Sequence, residues 1–339
     1  MNGERSTVNG VGEALGTVPG AIALGPGKEF DRIRAVAAAL GARAAGLGDD
    51  CALIAAGGVT LALSTDLTVE GVHFRREWLA WEEVGWRAAA AALSDLAAVG
   101  AEPVGLLAAV ASPREAAESE LTALMRGVGE AAAAAGALVL GGDLSSGPCW
   151  SVAMTVVGRA DRAVRRSGAR PGDGIWVTGA LGGARAALES WRRGESPPPA
   201  ARWAFAHPEP RLAAGLWLAA RGARAMLDLS DGLGGDAPHL AAASGVALAI
   251  ELDRLPVAET ARAAAERAGA PPPRFAAEGG EDYELLAALP PEFGPADAEA
   301  FRRELGLELT RIGAAADGSG VRFVLDGKPI ALGGFDHFR

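Results

Sequence analysis

Five segments of this sequence end an apolar stretch on an aspartate with a small or hydroxyl-bearing neighbour. They are "GLGDD" (Asp49, Asp50), "LALSTD" (Ser64, Thr65, Asp66), "AALSDLAAVGA" (Asp95), "LVLGGD" (Gly142, Asp143) and "LDLSDGL" (Asp228, Ser230, Asp231). An ionised carboxylate among apolar neighbours is costly unless it is paired or binds a metal. Salt bridges would require cations in equally apolar segments, yet most arginines fall in polar helices or in the cluster "GRADRAVRR". Divalent cations are the remaining partners, and an all-oxygen ligand set suits Mg²⁺ and disfavours zinc. Asp95 is the least ordinary of the set: on a helix over 81–99 it shares a face with Ala91, Ala92 and Val99. Any one of these motifs also reads as a turn or a helix cap; it is the set of five that points to metal.

A site of this kind suits polyanions, because Mg²⁺ bridges carboxylates to phosphate oxygens. A Walker loop needs G-x-x-x-x-G-K-[ST], whereas Lys28 in "GPGKEF" is followed by Glu29. Protein-kinase signatures are missing as well. A phosphoryl-transfer enzyme on this chain must replace the phosphate-binding lysine with metal ions and arginine, and Arg166 in "RRSGARPGD" is the candidate. The glycine turns "LGGD" and "TGALGG" offer backbone N–H groups to an anion. His73 follows "TVEG" in a loop and reads equally as a substrate contact or a cap. Glu281 and Asp282 open an apolar strand, where capping competes with substrate binding. In the terminal "GFDHF", Phe335 is the better stacking residue. His207, His239, Cys51 and Cys149 read as structural.

The elements that must position these residues follow from periodicity and from glycine and proline. Helices are expected at 28–41, 81–101, 114–136, after "TGALGG", after "LDLSD", near 257–269 and near 296–305. Strands are expected as a hairpin around Gly57-Gly58, then at "PVGLLAAVAS", "ALVLGGD", 150–160, 175–177, "ARAMLDLS", "VALAIEL", "EDYELLAAL", "LTRIGAAA" and "VRFVLD". "GESPPP" (194–199) and "APPP" read as loops. Hairpins interrupt the strand–helix alternation, which predicts α+β architecture in two domains, 28–161 and 162–339. A length of 339 residues agrees with two cores. Residues 1–27, glycine-rich and without a continuous apolar core, read as a mobile tail rather than a signal peptide.

The net charge of −10 argues against a nucleic-acid binder. No apolar run approaches the ~20 residues of a membrane span. Two cysteines in a chain of this length suggest a reducing cytoplasm.

Taken in order, "LGDDCALI", "LSTDLTVEGVHF", "ALSDLAAVGAEPVG", "LGGDLSSGP", "RSGARPGD", "LDLSDGL", "GGEDYELL" and "GFDHF" resemble the thiamine-monophosphate kinase family. That family belongs to the aminoimidazole ribonucleotide synthetase-like ATP-binding superfamily, and the resemblance spans residues 28 to 338. It implies two α/β sandwich-like domains, a homodimer paired through the N-terminal domains, and transfer of the γ-phosphoryl of ATP to thiamine monophosphate. By motif match, Asp50, Ser64, Thr65, Asp66, Asp95, Asp143, Asp228 and Asp231 would hold several Mg²⁺ ions. Gly142, Arg166 and Ser230 would contact ATP, and His73, Glu281 and Phe335 the thiamine end. The acceptor phosphate has a second pKa near ~6 and is largely ionised at neutral pH. No general base or protein nucleophile is then expected. The alternatives are a sister ATP-dependent enzyme and a nucleotide- or metal-binding regulator. The absence of a cysteine before Cys51 and at the C-terminus disfavours the sisters that use one.

Overall fold

The computed structural model describes residues 23, 25–43 and 47–338. The expected tail, residues 1–27, lies outside them except for 23 and 25–27.

The N-terminal half is built on a five-stranded sheet. Its strands are β1 (Ala52–Ala56), β2 (Val59–Val69), β3 (Glu102–Ser112), β4 (Leu138–Ser146) and β5 (Ser151–Ala160), in the order β1-β2-β5-β3-β4. Gly57 and Gly58, both at positive φ, turn the β1–β2 hairpin. Only the β3–β4 pair is parallel. Along β5, Val152, Met154 and Val156 are buried while the residues between them are partly exposed, so one face of the sheet carries the core. Among the described residues, three helices fall in this half of the chain: α1 (Lys28–Leu40), whose Phe30 stacks on His239 of the second half, α2 (Trp81–Ala98) and α3 (Glu118–Ala134). The helix α2 is buried on nearly every side and packs on β2, β5 and α3. It also reaches β7 (Ala225–Asp228) of the second half, so it lies at the junction of the two.

The second half carries a seven-stranded sheet. To β7 it adds β6 (Gly174–Thr178), β8 (Ala247–Glu251), β9 (Leu285–Leu289), β10 (Leu309–Ala316), β11 (Gly320–Leu325) and β12 (Lys328–Ile330). The order is β12-β11-β8-β10-β6-β9-β7. The strands β6 and β9 are buried throughout, and so is β7, which ends the sheet where α2 packs against it. Helices α4 (Gly183–Arg192), α5 (Pro199–Ala206), α6 (Leu212–Ala220), α7 (Leu233–Ser244), α8 (Glu259–Ala268), α9 (Pro272–Ala277) and α10 (Pro295–Leu305) complete it.

Three expectations change. The last proline of "GESPPP" starts α5, and "APPP" runs into α9, because proline is well suited to the first helical turn. The helix α6 has no counterpart in the sequence reading. The strand expected from Glu281 begins only at Leu285: Glu281 and Tyr283 adopt φ of 66° and 52°, which no strand can contain.

Candidate functional site

The alternation of β2 decides what its motif can reach. Ser64 and Asp66 stand on the face covered by α2, opposite Val156 and Met154, while Thr65 between them lies on the other face and bonds Thr155 Oγ1 at 2.9 Å. Ser64 donates to Asp95 Oδ2 at 2.5 Å, so strand and helix meet at a carboxylate. Asp228 arrives from the second half as the last residue of β7. Asp50 precedes β1. Carboxylate oxygens of Asp50, Asp95 and Asp228 lie within 4.8 Å of one another.

Three like charges at that spacing cannot all ionise freely. Burial, reinforced by Asp228, Asp66 and Asp50, holds the Asp95 carboxyl well above the usual range. Burial and Asp50 push Asp228 to about 7. Burial and Asp50 likewise raise Asp49 to about 6, and its Oδ2 is buried without a hydrogen-bond partner. Among the described residues one cation does reach the cluster: Arg166 donates Nη2 to Asp50 Oδ1 at 2.6 Å and Nε to Oδ2 at 3.1 Å. The expectation that no arginine pairs with these aspartates therefore fails at Asp50. A single guanidinium leaves the cluster strongly acidic.

A cavity of about 850 Å³ opens over the cluster between the two halves. Asp66, Asp95, Asp228, Ser230 and Asp231 line one part of it, and His73, Glu281 and Phe335 another. Burial raises Asp66, with Glu281 adding to the effect, and burial together with Glu29 raises Asp231 to about 6. The turn after β7 assembles the rest. The Ser230 carbonyl accepts the Glu281 N–H at 2.7 Å, and the Asp231 carbonyl accepts the Phe335 N–H at 3.0 Å. His73 Nδ1 accepts the Val69 N–H at 3.0 Å, which leaves its ring proton on Nε2; burial lowers its pKa and keeps the ring neutral.

Not every expected residue comes to the cavity. Asp50, itself part of the cluster, sits behind its wall together with Ser64 and Arg166, which bond to the cluster. Thr65, Gly142 and Asp143 do not join it: Asp143 lies on β4, every residue of which is exposed, and pairs in register with Ala109 of β3. The sequence reading also missed lining residues, above all Arg87, Trp78 and Trp191. Arg87 had a signal, since Arg87, Ala91 and Asp95 stand at i, i+4 and i+8 on one face of α2. The tryptophans had none, because aromatic residues in helices are ordinarily core.

Comparison with known proteins identifies the family. The family description "AIR synthase related protein, N-terminal domain" matches residues 48–160, and "AIR synthase related protein, C-terminal domain" matches residues 170–326. A curated thiamine-monophosphate kinase of Halobacterium salinarum is 39% identical over 86% of this chain and 94% of its own length. That of Salmonella typhimurium is 36% identical over 91% of this chain and 95% of its own. The solved structure of AaThiL complexed with AMPPCP and TMP superposes with a TM-score of 0.83 at 33% identity, covering 92% of this chain and 97% of that one. Hydrogenase maturation protein HypE shares the fold at 21% identity, with a TM-score of 0.69 over 82% of this chain and 90% of its own. The chain belongs to the thiamine-monophosphate kinase family, an AIR synthase related lineage with both of its domains present.

Proposed function

We propose that this protein transfers the γ-phosphoryl group of ATP to thiamine monophosphate, yielding thiamine diphosphate and ADP. The observation that carries the reading is the three-carboxylate cluster drawn from both halves at one wall of a substrate-sized cavity. Family membership and the AMPPCP and TMP held by AaThiL support it.

The donor set is all oxygen, crowded, and too acidic for its single arginine, which fits hard divalent cations of the Mg²⁺ type. Asp50, Asp95 and Asp228 would hold such ions directly, with Asp66 and Asp231 on the same cavity and Ser64 orienting Asp95. Bound there, Mg²⁺ supplies neutralisation of the phosphate charge. The chain itself orients and shields. Ser230 faces the nucleotide, while His73, Glu281 and Phe335 face the thiamine end. A neutral His73 offers its Nε2–H to an acceptor without adding charge. No protein base is required, because the acceptor phosphate is already ionised; catalysis is in-line positioning between two polyanions. Thr65, Gly142 and Asp143 remain proposed for metal and ATP on their motifs alone, and Arg166 for ATP through its place beside Asp50.

The same reading proposes a homodimer joined through the N-terminal sheet, a division of the chain near residue 162, and a cytoplasmic location. No helix among the described residues is long and apolar enough to cross a membrane, and Cys51 and Cys149 are unbridged.

The test is ADP release from ATP and Mg²⁺ with thiamine monophosphate present or omitted, with the thiamine species separated by chromatography. Release that depends on thiamine monophosphate and yields thiamine diphosphate is expected. ATP binding without that product would overturn the assignment in favour of a sister substrate or a regulator.

A further inference from the structure

Arg87 is 4% exposed, in the middle of α2, and its guanidinium sits on the cavity wall. Each side of its fork is committed. Nη1 donates to the Phe205 carbonyl; Nη2 donates to the Glu281 carboxylate and, at 3.4 Å, to the His73 carbonyl. Its Cζ lies over the Phe205 ring, 3.9 Å from the centroid, and Nε is buried without a partner. These contacts come from three distant pieces of chain: the turn after β2, the end of α5, and the kinked segment before β9. The other arginines of the cavity lining are more exposed and face other acids, Arg75 towards Glu77, Arg185 towards Glu278 and Arg192 towards Glu189.

Glu281 needs such a partner. Its backbone is held in the left-handed region at φ 66°, so its side chain leaves the chain in a direction that a strand would not give. Its carboxylate is three-quarters buried, in a cavity already lined by Asp66, Asp95, Asp228 and Asp231. Unpaired, that carboxylate would add to the field repelling an incoming phosphate monoester; a fork-shaped cation neutralises it and fixes its orientation at once. Lysine would supply the charge without the second arm.

Resting on the function proposed above, we propose that Arg87 is a positioning residue for the acceptor: it fixes the Glu281 carboxylate and the His73 turn in the arrangement that receives thiamine monophosphate, and takes no part in phosphoryl transfer. The experiment is a double-mutant cycle of Arg87→Met and Glu281→Gln, with KM for each substrate, kcat and the melting temperature read for all four proteins. Arg87→Met is expected to raise KM for thiamine monophosphate roughly tenfold, leaving KM for ATP and kcat within about twofold. In the Glu281→Gln background the same change is expected to move that KM by less than about twofold, because the partner it served is gone. Additive effects, or a loss shared equally by both substrates, would overturn the inference. Should Arg87→Met fail to fold, Arg87→Lys is read in the same way. Failure of both, without recovery in the Glu281→Gln background, makes Arg87 a structural residue and also overturns it. A wild-type protein that turns over thiamine monophosphate with an additive cycle refutes only this inference. One that turns over none refutes the proposed function, and the inference with it.

Discussion

Asp228 shows how much a single side chain decides here. It is buried, faces Asp50, and has its pKa pushed to about 7. Asp228→Asn removes one member of a repelling set, so the metal-free protein should melt a few degrees higher at pH 8 while turnover falls by ~10²-fold. Calorimetry with chelator and a turnover assay check both halves of that outcome, and unchanged turnover would remove Asp228 from the metal set. The titration has a definite sign. The folded pKa values of Asp95, Asp228 and Asp231 all lie above the ordinary value of 3.8, so the folded, metal-free chain retains protons that the unfolded chain releases. Their contribution is therefore present below about 4 and is lost as pH rises through the raised values, about 6 for Asp231 and about 7 for Asp228. A cation that needs the ionised carboxylates gains over the same window. The difference in melting temperature between Mg²⁺ and chelator should accordingly widen from pH 5 to pH 8; a pH-independent difference would contradict the assignment. These aspartates were legible because an isolated carboxylate in an apolar segment is an energetic anomaly on its face. Arg87 is just as anomalous, but its meaning lies in Glu281, 194 positions away. Spacing along one chain cannot supply that pairing.

Among the elements, α2 carries the greatest burden, since it presents Arg87, Ala91 and Asp95 to the cavity and packs on both halves. Two glycines set how closely it approaches α3. A Cβ at Gly85 would lie 1.9 Å from the Leu124 carbonyl oxygen, and one at Gly127 would lie 1.8 Å from that of Glu82. Backbone cannot yield as a side-chain tip can, so Gly127→Ala must push the helices apart, at a cost of about 1–3 kcal/mol. Because Gly127 is outside the cavity, the measurement is thermal unfolding. A melting temperature unchanged from wild type would mean that α2 and α3 pack less closely than described. Most elements could be read from periodicity, including the β1–β2 hairpin and the site-bearing strands. Those missed failed for local reasons: α5 and α9 start on prolines that resemble loop residues, and "LAAGLWLAA" of α6 is too uniformly apolar to show a stripe. The kink at Glu281–Tyr283 was beyond reach as well, since the hydrogen bonds to Ser230 and Leu229 that hold it are tertiary.

At the scale of the whole molecule, the two faces of the N-terminal sheet are treated unequally. One is sealed by α2 and α3; the other leaves Leu67 and Leu107 open, and along the edge strand β4 Leu138, Leu140 and Leu144 are 69%, 55% and 64% exposed. An uncovered apolar surface ending in an unpaired strand edge invites association unless it is blunted by charge, and among the nine residues of β4 only Asp143 is charged. The homodimer proposed from family resemblance thus has a surface suited to it, and it makes a prediction separable from chemistry. Leu138→Asp alters a side chain that the single chain leaves in solvent, so it should cost the isolated fold little, within about 0.5 kcal/mol. Buried in a dimer interface, the same carboxylate would lack a partner and favour dissociation. Sedimentation should therefore report a dimer for the wild type and a shift towards monomer for Leu138→Asp, with circular dichroism unchanged. A wild-type monomer at working concentrations would end the dimer proposal. A dimer indifferent to Leu138→Asp would move its interface off this end of β4, leaving the carboxylate cluster and its cavity as described.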